Sequence, residues 1–118
     1  MNYEFAYEED FLIIKLSGSA EVNERLLTKE SLTPYLQQSH QKVIIDLENL
    51  AENGEVYIIG ILNTIKKEFQ LLEGEVKLCS LKPELYRYFQ ENRLDQIFDI
   101  SQSVESTKQS FKERSNDG

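Results

Sequence analysis

The side chains able to do chemistry are few and scattered. Cys79 and His40 are the only cysteine and the only histidine in the chain. One thiol and one imidazole fall far short of a zinc ligand set, and a lone thiol closes no disulfide within the chain. His40 sits in the polar stretch SHQK (39–42), with no Cys, Asp or Glu at ligand spacing, and reads as a surface loop residue. Cys79 falls inside an apolar run, where a thiol behaves as a small hydrophobe rather than a redox centre. The sequence has no Gly-rich phosphate loop, no G-x-S-x-G and no H-E-x-x-H. Two of its 21 Asp and Glu residues could in principle form a glycosidase pair, but a chain of 118 residues without tryptophan offers little room for a sugar cleft. The chemistry that remains is that of contact and charge. Asp46 closes the apolar run KVIIDL (42–47), where a carboxylate either meets a ligand or, more commonly, tethers the following loop. Beyond it come Asn53-Gly54, Glu55, Val56, Tyr57 and Ile59.

The composition narrows the classes further. At 13.8 kDa, with 40% hydrophobic and 29% charged residues, the chain is one domain with a core of its own. Thirteen Lys and Arg stand against 21 Asp and Glu, a net charge of −8 that repels a phosphate backbone and argues against nucleic-acid binding. The opening MNYEFAYEED lacks the basic start of a secretory signal. The apolar clusters at 11–14 and 56–62 are far shorter than the roughly 20 residues that span a bilayer. The expectation is a cytoplasmic protein that does not insert into membranes, binds no cofactor and is no enzyme.

These residues need elements to hold them. Tyr3, Phe5 and Tyr7 alternate with Glu4, Ala6 and Glu8, the period of a half-buried strand, and Glu9-Asp10 turns the chain into a second strand, FLIIKLSG (11–18). Residues 20–38 have helical composition, with Pro34 placed to kink the helix or split it into two short pieces. KVIIDL predicts a central strand and 48–55 a polar loop. Ile58, Ile61, Leu62, Ile65, Phe69 and Leu72 then form a helical stripe, ended by Glu73-Gly74. Asn53-Gly54 between apolar runs is also a hairpin signal, but the long stripe after it favours a loop and then a helix, with Asn53 as the N-cap. A strand at 75–81 follows, then a helix from Pro83 with Tyr86 and Phe89 inward and Arg87 and Tyr88 outward. A short strand at 96–100 precedes a closing helix capped by Ser103 and carrying Val104, Thr107, Lys108 and Phe111. The order β-β-α-β-α-β-α-β-α implies an α/β fold. Its mixed sheet has about five strands, largely parallel after an N-terminal antiparallel hairpin, and about four helices cover it. The domain is expected over 1–112, with 113–118 a flexible polar tail.

Four stretches together resemble the STAS domain, and within it the bacterial anti-sigma-factor antagonists. They are FLIIKLSG (11–18), VIIDLENL (43–50), EGEVKLCSLKPELYRYFQENRLDQIFDI (73–100) and SQSVESTKQSF (101–111). The resemblance runs from about Glu4 to Phe111. It implies a STAS-like fold and partner switching. The unphosphorylated domain docks on an anti-sigma factor that is also a serine kinase, and phosphorylation of a Ser or Thr at the start of the second helix abolishes docking. It also leaves room for another STAS protein as partner, for a homo-oligomer, and for an accessory role on a transport ATPase or in a larger signalling assembly.

The chain departs from that pattern at the switch. Counted from Asp46, the family's phosphorylated motif falls at about Gly54, Glu55, Val56 and Tyr57, and no Ser or Thr lies between Ser39 and Thr64. Phosphoryl transfer needs a hydroxyl nucleophile. Glu55 and Val56 are therefore the phosphosite equivalents, not phosphorylatable by Ser/Thr chemistry. A carboxylate at Glu55 brings about one negative charge to a helix start, against roughly two for a phosphate. It is either a fixed charge on the docking loop or a helix-start acid of the common kind. By resemblance the partner-binding surface comprises Ser19, Glu21, Asn53, Gly54, Glu55, Val56, Tyr57 and Ile59.

Overall fold

A computed structural model describes residues 2–18, 29–51 and 55–116. Strands β1 (Asn2–Glu8) and β2 (Phe11–Gly18) pair antiparallel from Asn2↔Ser17 to Glu8↔Phe11. Their link is tight because Glu9 takes a left-handed backbone (φ 55°), the conformation that two-residue hairpin links demand. Strands β3 (Lys42–Leu50), β4 (Glu75–Cys79) and β5 (Asp99–Ser101) follow in parallel, giving the order β1-β2-β3-β4-β5. The expected mixed sheet with one antiparallel hairpin is the sheet observed.

Sheet pleating sends alternate residues to opposite faces. Leu12, Ile14, Leu16, Val43, Ile45 and Leu47 are buried on one face. The stripe Ile58, Ile61, Leu62, Ile65 and Phe69 of helix α2 (Glu55–Gln70) packs there, beside Leu85 and Phe89 of α3 (Pro83–Glu91). Phe11, Ile13, Ile44 and Cys79 point to the other face, where Phe111 of α4 (Val104–Asn116) covers them. The first helical region shows two short pieces, α1 (Lys29–Leu32) and a 3-10 turn at Thr33–Tyr35 that carries Pro34, and Phe5 stacks on Tyr35 at 3.9 Å. The helix expected over 20–28 lies outside the described residues.

Several boundaries differ from the sequence expectation. β3 runs on through Glu48, Asn49 and Leu50, which read as loop. A register shift between Lys15 and Ser17 lets Ser17 and Gly18 keep pairing with Asn49 and Leu50, so the backbone partner overrides the polar composition. β4 stops at Cys79 because Ser80 turns left-handed (φ 62°). Leu94–Gln96, read partly as strand, forms a 3-10 turn that buries Phe98, and β5 starts only at Asp99. On α3 the tyrosines exchange roles: Tyr86 is 40% exposed, whereas Tyr88 packs partly against the core. The helix turns 100° per residue, so Leu85 and Phe89 fix the buried side and set Tyr86 and Tyr88 at equal angles on its two flanks; what packs beside each flank, not the helix rotation, decides which is covered. α2 ends in a Schellman arrangement, with Gly74 N–H donating to the Phe69 carbonyl (2.8 Å) and Glu73 N–H to the Gln70 carbonyl (2.9 Å). Glu73, not Gly74, occupies the left-handed position (φ 60°).

Candidate functional site

Because β2 to β5 run parallel, their C-terminal ends share one edge of the sheet: Gly18, Leu50, Cys79 and Ser101. In open α/β sheets this is the edge where ligands are commonly met. Here it is organised around one junction. Gly18 pairs with Leu50, and Ala51 N–H donates to the Gly18 carbonyl at 2.8 Å. Gly18 has φ 82°, a left-handed turn that glycine adopts without strain. The chain therefore leaves β2 and β3 side by side, and the two segments that sequence reasoning assigned to partner binding start from adjacent strand ends.

Of the residues expected there, Ser19, Glu21, Asn53 and Gly54 lie outside the described residues. Glu55 and Val56 form the start of α2, one residue after the first helical position that an Asn53 N-cap implies. Tyr57, on the first turn, is 37% exposed and presents its ring at the surface. Ile58 turns inward, and Ile59 is half-buried against the core, which makes it partly a packing residue. Thr64, the first Ser or Thr after Ser39, donates to the Gly60 carbonyl within the helix (3.0 Å).

Toward β5 the edge opens into a cleft of about 500 Å³ lined by Asp46, Glu48, Ser80, Lys82, Ser103 and Glu105. Asp46 is buried, and its Oδ1 accepts the Glu48 N–H at 3.0 Å, the local tether expected of it. Ser103 is occupied as the cap of α4: its Oγ accepts the Ser106 N–H at 3.1 Å, and its carbonyl accepts the Thr107 hydroxyl at 2.6 Å. Leu81, Pro83, Tyr86 and Ile100 line an adjoining, more apolar hollow. Cys79 lies beneath this edge with its thiol pushed up to about 11 by burial, so at neutral pH it holds its proton and is a poor nucleophile. His40 is at the opposite end of the sheet, exposed, with Nε2 3.1 Å from Glu73. Among the described residues, no three His, Cys, Asp or Glu side chains are placed to hold a metal ion. No described helix is long and apolar enough to cross a membrane.

Two buried cations escaped the sequence reading. Lys77 Nζ donates to Ser110 Oγ at 2.8 Å and lies 4.4 Å from the Phe111 ring centre. Lys108 Nζ reaches Glu8 (3.2 Å), Glu9 (3.3 Å) and Glu105 (3.7 Å). Both fasten α4 to the sheet, far from the junction. A faint signal was present: the sequence puts Lys77 within a strand pattern and Lys108 on the apolar side of its helix.

The comparisons with known proteins agree with this geometry. The STAS domain family model matches residues 3–107. Among solved structures, the fold is similar to an anti-sigma-factor antagonist (STAS) domain protein from Planctomyces limnophilus, with 19% identity over 88% of this chain and 92% of that one and a TM-score of 0.62. It is similar to an anti-sigma factor antagonist from Mycobacterium paratuberculosis, with 16% identity over 92% of each chain and a TM-score of 0.65. It is also similar to the anti-sigma factor antagonist SpoIIAA in its unphosphorylated form, with 14% identity over 94% and 97% and a TM-score of 0.61. With the family model spanning nearly the whole sheet and its helices, the chain belongs to the STAS domain family.

Proposed function

We propose that this STAS domain is a non-catalytic regulatory module that binds a protein partner through the junction of β2 and β3. The surface comprises Ser19 and Glu21 on one segment and Asn53, Gly54, Glu55, Val56, Tyr57 and Ile59 on the other. The observation that carries this reading is the Gly18–Leu50 pairing with its Ala51-to-Gly18 hydrogen bond, which roots both segments at one place. The exposed Tyr57 ring supplies an amphipathic contact of the kind that anchors interfaces. The fold likeness to anti-sigma-factor antagonists supports a kinase-like anti-sigma factor, or a related protein, as partner.

The switch differs from an ordinary one. With no Ser or Thr between Ser39 and Thr64, the docking loop accepts no phosphoryl group by Ser/Thr chemistry. Glu55 holds that place in one permanent charge state, and the domain docks without being released by phosphorylation.

Affinity capture from lysate of the source cells, with mass spectrometry of both prey and bait, tests the reading. A kinase-fold prey on an unmodified bait, lost with Tyr57→Ala or Glu55→Lys, is the expected result. A membrane ATPase as prey would favour an accessory role on a transporter. A bait phosphorylated within 52–58 would overturn the switchless mechanism.

A further inference from the structure

The two edges of the sheet are built differently. β5 is three residues long and offers little to a further strand. β1 is seven residues long, and among the described residues it pairs with β2 alone. Natural edge strands are usually protected by brevity, by charged side chains (lysine above all) or proline, by a bulge, or by a covering helix or loop. β1, NYEFAYE, has neither proline nor lysine and no bulge, and keeps an unbroken register with β2. Of its two charges, Glu8 meets a cation of its own chain, and Glu4 is matched in register with one. Glu8 accepts a hydrogen bond from Lys108, and Glu4 stands directly opposite Lys15. The charge that would repel a second copy is thus partly neutralised from within.

We infer that β1 is a self-association surface on which a second copy of this chain pairs antiparallel, edge to edge, about a two-fold axis through Phe5. Such an axis is perpendicular to the sheet, and directly opposed residues share a face, so only positions of like parity can meet. With the axis at Phe5, every residue of β1 finds a partner. Asn2 faces Glu8 of the second copy, Tyr3 faces Tyr7, Glu4 faces Ala6, and Phe5 faces Phe5. Moving the axis to Glu4 sets that carboxylate against itself. Moving it to Ala6 sets Glu4 against Glu8. Like charges directly opposite destabilise a strand pair, so the register of greatest overlap is also the one of least repulsion. On the helix-covered face, Phe5 is held by its stack on Tyr35, and Tyr7, 61% exposed, gains aromatic cover from the second copy. The net charge of −8 on each copy still opposes approach, so the dimer tightens as salt is raised.

Sedimentation of the full chain across a concentration series, at low and raised salt, tests this independently of any docking partner. The wild type is expected to form a concentration-dependent dimer that strengthens with salt. Ala6 is exposed, so substitutions there leave the monomer folded, as circular dichroism would verify. Ala6→Glu sets a carboxylate against Glu4 twice per dimer and weakens association by about tenfold, whereas Ala6→Lys sets an ammonium there and tightens it. A monomer under all conditions overturns the inference. So does a dimer on which the two substitutions act alike, act in the reverse sense, or have no effect.

Discussion

Lys108 shows how one side chain can define the position of an element. Its side chain is only 6% exposed, yet its ammonium reaches the hairpin residues Glu8 and Glu9 and its own helix neighbour Glu105. The hydrogen bond with Glu8 raises the Lys108 pKa, and the hydrogen bond with Lys108 lowers that of Glu9 below the usual 4.5. The signs give two windows. A lowered Glu9 contributes stability above about pH 4.5 that is lost as pH falls through its folded value. A raised Lys108 contributes stability below its usual 10.5 that is lost as pH rises through its folded value. Lys108→Met is therefore expected to lower the melting temperature at pH 7, with the difference from wild type shrinking toward pH 3; thermal denaturation across that range measures it. A difference that stayed constant with pH would assign Lys108 to packing alone. Cys79 makes a second test at this scale. Its buried, high-pKa thiol should resist alkylation at pH 7.5 in the folded protein and react readily once denatured, which timed iodoacetamide labelling would report.

At the scale of elements, the two described glycines of the α2 region predict opposite outcomes. Gly60 lies inside α2, and a Cβ there would meet nothing within 4 Å, so Gly60→Ala should stabilise by about 0.5–1 kcal/mol. A Cβ on Gly74 would lie 3.0 Å from the backbone oxygens of both Gln41 and Phe69. Neither oxygen can withdraw without opening the end of α2 or the start of β4, so Gly74→Ala should destabilise; denaturant midpoints of the pair decide both signs. Phe69→Ala, emptying a fully buried site on the same helix, should cost about 3–5 kcal/mol by the same measurement. Apolar periodicity made α2, α3 and the strands legible in the sequence, because burial against a sheet imposes that periodicity. It failed where a distant partner decides. Glu48 to Leu50 read as loop by composition but are strand because Ser17 and Gly18 lie beside them. Tyr86 and Tyr88 lie at equal angles from the side that Leu85 and Phe89 bury, so the neighbouring elements decide which one is covered. Lys77 and Lys108 are buried because carboxylates, a hydroxyl and aromatic rings from other elements receive them, and no local pattern announces that.

For the whole molecule, the mixed sheet separates three tasks in space. The parallel strands bring their C-terminal ends to one edge, where the segments after Gly18 and Leu50 depart together. α4 closes the second face by means of Lys77 and Lys108. β1 leaves a long edge on the far side of the sheet from β5. The proposed docking junction and the proposed self-association edge are thus rooted at different places on the sheet. Hydrogen–deuterium exchange, on the chain alone and on its complex with the captured partner, tests the docking account most directly. The account predicts that the partner slows exchange in peptides covering 17–22 and 50–58, with β1 unchanged. Slowed exchange confined to the hollow at 81–86 and 100–102, with both junction segments unaffected, would contradict it.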